Sequence, residues 1–294
     1  MRLRRTWAAA VMAVTALAAC GSPRPAVARP PVWIVRDADS ELVLFGSVHV
    51  LPEGLDWRPP ELTAGLERAE DLWFEMPMDA EAEAQSARLA AERGLLPPGR
   101  SLQDLLPSRT WSRLVAAAER YRLSPDLLAR MEPWLAEVAL SGAVYRLVGA
   151  SPGKGVEKQL QAAAPPSAAR KAFETPEQQI ALFDEAPLAD QIASLEHSLE
   201  ELERDPEAFA SLVGAWMSGD LAQLQRVAIE PLREAAPVIY RRVVTERNEA
   251  WVRVLDARLK GEGRTVVVVG VGHLIGPEGL PARLRALGYS VEGP

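Results

Sequence analysis

Only three histidines occur in the 294-residue chain, and two of them end the same phrase. LVLFGSVHVLPEGL (42–55) and VVVVGVGHLIGPEGL (266–280) each pass from apolar residues through Gly-x-x-His into a loop closing on Glu-Gly-Leu. Imidazole is the side chain best suited to hold a metal ion or carry a proton near neutral pH. His49 and His273 are therefore the first candidates for chemistry, and Glu75, at the end of the apolar stretch DLWFEM (71–76), supplies a carboxylate. Two imidazoles and a carboxylate, with a position left for water, make up a hydrolytic metal site. Such N/O donors admit Zn²⁺, Mn²⁺ or Co²⁺. The third histidine, His197, lies among glutamates in SLEHSLEELE and reads as a solvated side chain.

These groups meet only if the strands carrying them are parallel neighbours, because a parallel sheet gathers ligands at its carboxyl edge. The pattern predicts strands over 32–36 and 42–48, a helix opened by Pro59-Pro60, and a strand over 71–76. Strand, helix, strand at this spacing is a βαβ unit. Near the other end, the valine run 265–271 predicts a buried strand, PEGLPARLRALG a helix stopped by Gly288, and YSVEG a closing strand. From 79 to 263 the periodicity is helical with almost no convincing strand, including a capping box at Thr175 and a long helix over 234–260. The expected fold class is α/β: a split mixed sheet built from the N- and C-terminal parts (32–78 and 264–294), with a large helical insertion between them.

The balance is acidic, formally −7, with no basic stripe, which argues against a nucleic-acid partner. Arg2, Arg4 and Arg5 precede a short apolar run ending in LAAC (17–20), the outline of a bacterial leader. LAAC resembles the lipobox of lipoproteins, whose cysteine is acylated, so Cys20 is the expected lipidation site, followed by a Pro/Arg/Ala tether (20–31). Cys20 is also the only cysteine, so it can form no internal disulfide. The expected location is the cell envelope, lipid-anchored, with Gly21 and Ser22 favouring the outer membrane on its periplasmic face.

Taken together, the twin motifs, Glu75, the helical middle and the closing GHL…GL…GY resemble the TraB/GumN/Tiki family. FETPEQQ (173–179), WMSGDL (216–221) and ERNEAWV (246–252) strengthen the resemblance. Family members look like metal-dependent proteases, which implies a peptide or protein substrate and a divalent ion at His49, His273 and Glu75. The resemblance also places Glu174 at a family glutamate, where this chain reads AFET (172–175), and Arg247 and Asn248 at an Arg-Asn pair. Glu157 stands where an aspartate is common.

A hydrolase needs a base for its water and a fixed cation or donors for a developing negative charge. Glu174 is the expected base, the alternative being a first-turn glutamate of helix 175–183. Arg247 and Asn248 are expected to bind substrate, the alternative being a surface pair. Glu157 reads as a substrate or metal contact, or as a solvated helical residue. A rival function is a non-catalytic peptide- or haem-binding protein using the same two-histidine cleft.

Overall fold

The computed structural model describes residues 28–151, 153 and 155–294. The leader, Cys20 and most of the tether lie outside the described residues. Among the described residues no helix is long and apolar enough to cross a membrane.

The described residues form eight strands: β1 Val32–Arg36, β2 Ser40–Ser47, β3 Leu51–Pro52, β4 Asp71–Phe74, β5 Ala150–Ser151, β6 Ala169–Ala172, β7 Gly263–Gly270 and β8 Ser290–Glu292. Six of them form one mixed sheet in the order β6-β4-β7-β2-β1-β8, while β3 and β5 pair separately. The four strands β6, β4, β7 and β2 run parallel, and β1 turns back antiparallel to β2. The β1–β2 turn closes because Asp37 Oδ1 accepts hydrogen bonds from the backbone N–H groups of Asp39 and Ser40. This is the local side-chain capping that makes Asp a turn residue. The middles of β2 (Leu42–Phe45) and β7 (Val266–Val269) are apolar and buried on both faces. Helices cover those faces, as parallel strands require. Helix Pro60–Glu67 contacts β2 and β7, and helix Glu246–Leu259 contacts β2.

The fold is thus mixed α/β, with the insertion's helices between the N- and C-terminal strands. The βαβ expectation holds for direction but not adjacency, because β7, from the far end of the chain, lies between β2 and β4. The insertion also contributes strands. β6 joins the sheet beside β4, with Asp71 opposite Ala169 and Phe74 opposite Ala172. Its sequence, ARKA, is polar and mostly exposed, which suits an edge strand and hides it from a hydrophobicity pattern.

Part of the insertion packs around a second core. Leu102, Leu114, Leu140, Leu195 and Leu199 are almost fully buried there, contributed by helices that include Ser108–Arg120, Pro133–Leu147 and Leu188–Arg204. The capping box at Thr175 forms as expected, with Gln178 closing back on the Thr175 N–H. The long helix over 234–260 is instead broken. Pro237 has no N–H to donate, and Ala236 leaves helical geometry at φ −136° and ψ 66°. A π-turn at Arg241–Thr245 then leads into Glu246–Leu259.

Candidate functional site

Four side chains hang just beyond the carboxyl ends of the four parallel strands. Glu174 follows β6, Glu75 follows β4, His273 follows β7 and His49 follows β2. The β2–β7 register sets Gly46 opposite Val269 and Ser47 opposite Gly270, so the two Gly-x-x-His motifs lie side by side. Their glycines face each other's loops. A Cβ on Gly46 would stand 2.9 Å from Val271 Cγ2. One on Gly270 would stand 3.2 Å from Glu75 Oε1 and 3.4 Å from His49 Nε2. The bare α-carbon of Gly270 therefore leaves open the space that these two groups share.

His49 projects into solvent, with 66% of its side chain exposed. Its Nδ1 lies 2.6 Å from Glu157 Oε1, which also accepts the Ser47 hydroxyl at 2.6 Å. The Glu157 charge, working against partial burial, holds the imidazole up at about 9. Glu157 is itself buried, and although burial opposes its charge, the His49 imidazolium beside it holds its pKa below the ordinary value. It is not a solvated helical residue; it buttresses His49.

His273 is the opposite case, with a side chain only 7% exposed. The Asn248 amide donates to the carbonyl oxygens of His273 (3.2 Å) and Glu278 (2.9 Å), which leaves its Oδ1 to accept from His273 Nδ1–H at 2.7 Å. The lone pair is therefore on Nε2, and Arg247 Nη1–H donates to it at 3.0 Å. Burial, reinforced by the Arg247 charge, pushes this imidazole down to about 3. Trp251 packs against the ring with centroids 4.4 Å apart.

Arg247 and Asn248 are not a surface pair: both are buried. The guanidinium sits at the centre of the site. Nε and Nη2 donate to Glu174 at 2.8 and 3.0 Å, Nη2 also to Glu75 Oε2 at 2.5 Å, and Nη1 also to the Val243 carbonyl at 3.1 Å. Burial alone would push the Glu75 carboxyl up, but the guanidinium against it wins and holds it well below the usual carboxylate range. Its other oxygen, Oε1, accepts the Gly270 N–H at 2.7 Å and lies 3.9 Å from His273 Nε2.

Glu174 takes four donors: two from Arg247, one from Trp251 Nε1 at 2.8 Å and one from Gln179 at 2.6 Å. With both oxygens so occupied, the geometry supports a role in orienting Arg247 rather than in accepting a proton from water. Trp251 and Gln179 were missed from sequence, although each sits inside a motif quoted for the family resemblance. Tyr240 and Thr245 were missed too. They hold Glu278 of the second loop at 2.7 and 3.4 Å. His197 lies away from this centre and is largely buried rather than solvated, with Glu201 at 3.8 Å. Trp57, in the loop after His49, is core, stacked on Phe45 at 5.6 Å.

By donor type and charge, the residues fit a divalent ion. Both imidazoles have Nδ1 fixed by a second partner, which makes Nε2 the nitrogen left to bind an ion, the usual preparation of a metal-binding histidine. Glu75, Glu157 and Glu174 against Arg247 leave two negative charges uncompensated when both imidazoles are neutral. The spacing is another matter. Among the described residues no three His, Cys, Asp or Glu side chains are gathered closely enough to hold an ion as they stand. Arg247 Nη1 lies on His273 Nε2, the nitrogen that would face an ion.

Residues 31–293 match the TraB/PrgY/gumN family, and the chain belongs to it. Among its relatives is the uncharacterized protein YbaP of Escherichia coli strain K12, 24% identical over 257 residues, covering 87% of this chain and 92% of the relative. YbaP of Shigella flexneri is similar to the same degree. An uncharacterized protein of Treponema pallidum strain Nichols is 25% identical over 263 residues, covering 84% of this chain and 77% of the relative. No solved structure matches the chain.

Proposed function

We propose that this chain is a metal-dependent hydrolase, a peptidase in type, held by a lipid on Cys20 at the periplasmic face of the outer membrane. The observation that carries the hydrolytic reading is the convergence of His49 Nε2 and Glu75 Oε1 on the space left by Gly270, with His273 Nε2 beside the same carboxylate. The family resemblance supports peptide as substrate, and the LAAC leader supports the anchor.

His49, His273 and Glu75 would hold the ion. When bound, a divalent ion supplies Lewis acidity: it polarises a carbonyl and makes water a better nucleophile near neutral pH. The chain's own residues prepare that chemistry. Glu157 fixes the His49 ring, and Asn248 fixes the His273 tautomer. Arg247 keeps Glu75 ionised, and Glu174 with Trp251 keeps Arg247 in place. Gly270 leaves the approach clear for a substrate carbonyl. Haem ligation, the rival use of the cleft, would draw on His49 alone, since His273 is buried.

The test is hydrolysis of a peptide library by the full chain in detergent, with chelator, metal add-back, and the variants His49→Ala and His273→Ala. Loss on chelation, recovery with Zn²⁺, Mn²⁺ or Co²⁺, and loss in both variants is the expected result. Activity that survives chelation yet vanishes in His49→Ala would replace the ion with proton transfer by the Glu157–His49 pair.

A further inference from the structure

The tether joins the sheet at the same edge that carries the candidate site. β1 is antiparallel to β2, so it begins with Val32 opposite Phe45, near the carboxyl end of β2. Just before it, the Arg29 N–H donates to the Met217 carbonyl at 2.7 Å. The neighbouring Trp216 indole donates to the Gly46 carbonyl, also at 2.7 Å. One helix end therefore holds both the close of the tether and the first Gly-x-x-His motif. From Cys20 to Ala28 the chain can span at most about 29 Å. The eight residues of β2 cover roughly 25 Å. A tether running back around the amino edge would use nearly all of that reach on the sheet alone. The carboxyl edge is the one that a lipid on Cys20 can hold against a membrane.

A second feature lies at that edge. The loop after His49 continues into β3, where Leu51 and Pro52 pair with Ser151 and Ala150 of β5. Shortly before β5, helix Pro133–Leu147 ends in an apolar tip, with Leu147 47% and Val148 49% exposed beside Arg146. The charge pattern suits an anionic lipid surface. The chain has 40 acidic residues and a formal charge of −7, yet residues 138–156 contain no Asp or Glu, and neither do residues 20–36. Every charged side chain in those two stretches is basic. Basic residues are drawn to an anionic leaflet, and apolar side chains beside them enter its interface.

We infer that this edge is a membrane-docking surface: Leu147 and Val148 enter the headgroup layer of a phospholipid membrane, with Arg146 at its phosphates, while the tether holds the same edge down. The inference rests on the lipid anchor proposed at Cys20. It adds an orientation, in which both Gly-x-x-His loops face the bilayer rather than the open periplasm.

The sole cysteine makes the test direct. Acylation converts the Cys20 thiol to a thioether, so Leu147→Cys introduces one free thiol for a bimane label. Ala38→Cys does the same at the opposite edge, in the exposed β1–β2 turn. The labelled full chains are placed in vesicles of phosphatidylethanolamine and phosphatidylglycerol containing a doxyl lipid. The label at Leu147 is expected to be quenched about twofold or more beyond that at Ala38, as befits a residue within the interface. The excess should vanish when Arg146→Glu and Val148→Asp, both at exposed positions, are added.

Equal quenching at the two positions, or stronger quenching at Ala38, would overturn the docking edge. An excess that survives both added substitutions would overturn the Leu147–Val148 tip as the point of contact. Two labels per chain would show Cys20 to be unacylated, and would overturn instead the anchor on which the inference rests.

Discussion

The two Gly-x-x-His loops show how one phrase, used twice, can yield opposite chemistry. Both follow parallel strands that are direct neighbours, and both fix Nδ1 of their histidine with a side chain from the insertion. The fixing group differs. At His49 it is the carboxylate of Glu157, and the ring is exposed and held protonated up to about 9. At His273 it is the amide of Asn248, and the ring is buried against Trp251 and a guanidinium and pushed down to about 3. The sequence of a motif thus sets where a histidine emerges, while the partner chosen far along the chain sets its charge.

The largest effect is expected where the buried half of this comparison is broken. Arg247→Ala strands Glu75 and Glu174 without their cation, and removing one partner of a buried ion pair costs about 3–5 kcal/mol. Urea unfolding that shows a loss below about 1 kcal/mol, the range of a surface pair, would contradict the network. Next, His273→Ala is expected to cost about 1–3 kcal/mol, because it leaves buried polar groups of Arg247 and Asn248 unsatisfied. His49→Ala removes an exposed ring but also the cation paired with Glu157, and is expected to cost up to about 1 kcal/mol, the range of a half-exposed ion pair. Equal losses at the two positions would erase the asymmetry.

The paired glycines sharpen it further. Gly46→Ala would press a methyl group on Val271 at 2.9 Å and is expected to cost about 1–3 kcal/mol by overpacking. Gly270→Ala would place the methyl between Glu75 Oε1 and His49 Nε2. Its expected signature is loss of hydrolysis with a smaller change in melting temperature than Gly46→Ala gives.

The smallest effect is in pH dependence, and the two histidines contribute slopes of opposite sign. The folded pKa of His49 is raised, so the native state binds the extra proton between about 6.5 and 9, and its contribution falls as pH rises through that window. The folded pKa of His273 is lowered, so the unfolded state binds the extra proton between about 3 and 6.5, and stability rises with pH there. Melting curves of wild type, Glu157→Gln and His273→Asn across this range check both signs. Glu157→Gln should flatten the upper slope and also remove the acid-range contribution of its own lowered carboxyl, whereas His273→Asn should flatten the lower slope alone.

Much of this arrangement was readable from the residues alone. The apolar runs before each histidine specified β2 and β7, and the strand ending at Phe74 specified where Glu75 would emerge, because burial in a parallel sheet leaves a strong hydrophobic signal. The histidine pair and Glu75 were legible for the same reason: polar groups at the ends of apolar runs stand out. β6 was not legible, since ARKA earns no hydrophobic signature at a solvent-facing edge. The burial of Glu157, Arg247 and Asn248 was hidden as well. Charged residues at helical spacing look alike whether they face water or one another, and only the fold brings residues 75, 174 and 247 together. The break at Ala236 and the π-turn after Tyr240 were likewise masked by an unbroken helical pattern.

The short β6 has one more consequence. It supports Glu174 through only four residues at the rim of the sheet, with the Glu174 N–H bonded to the Glu75 carbonyl at 2.9 Å as the last rung. Rim strands of this size open far more readily than central ones, so transient fraying there would slacken the arginine clamp without any disturbance of β2 or β7. Amide exchange should then reveal a hierarchy in which the frame carrying both histidines outlasts, by a wide margin, the seam that keeps their neighbouring cation in register.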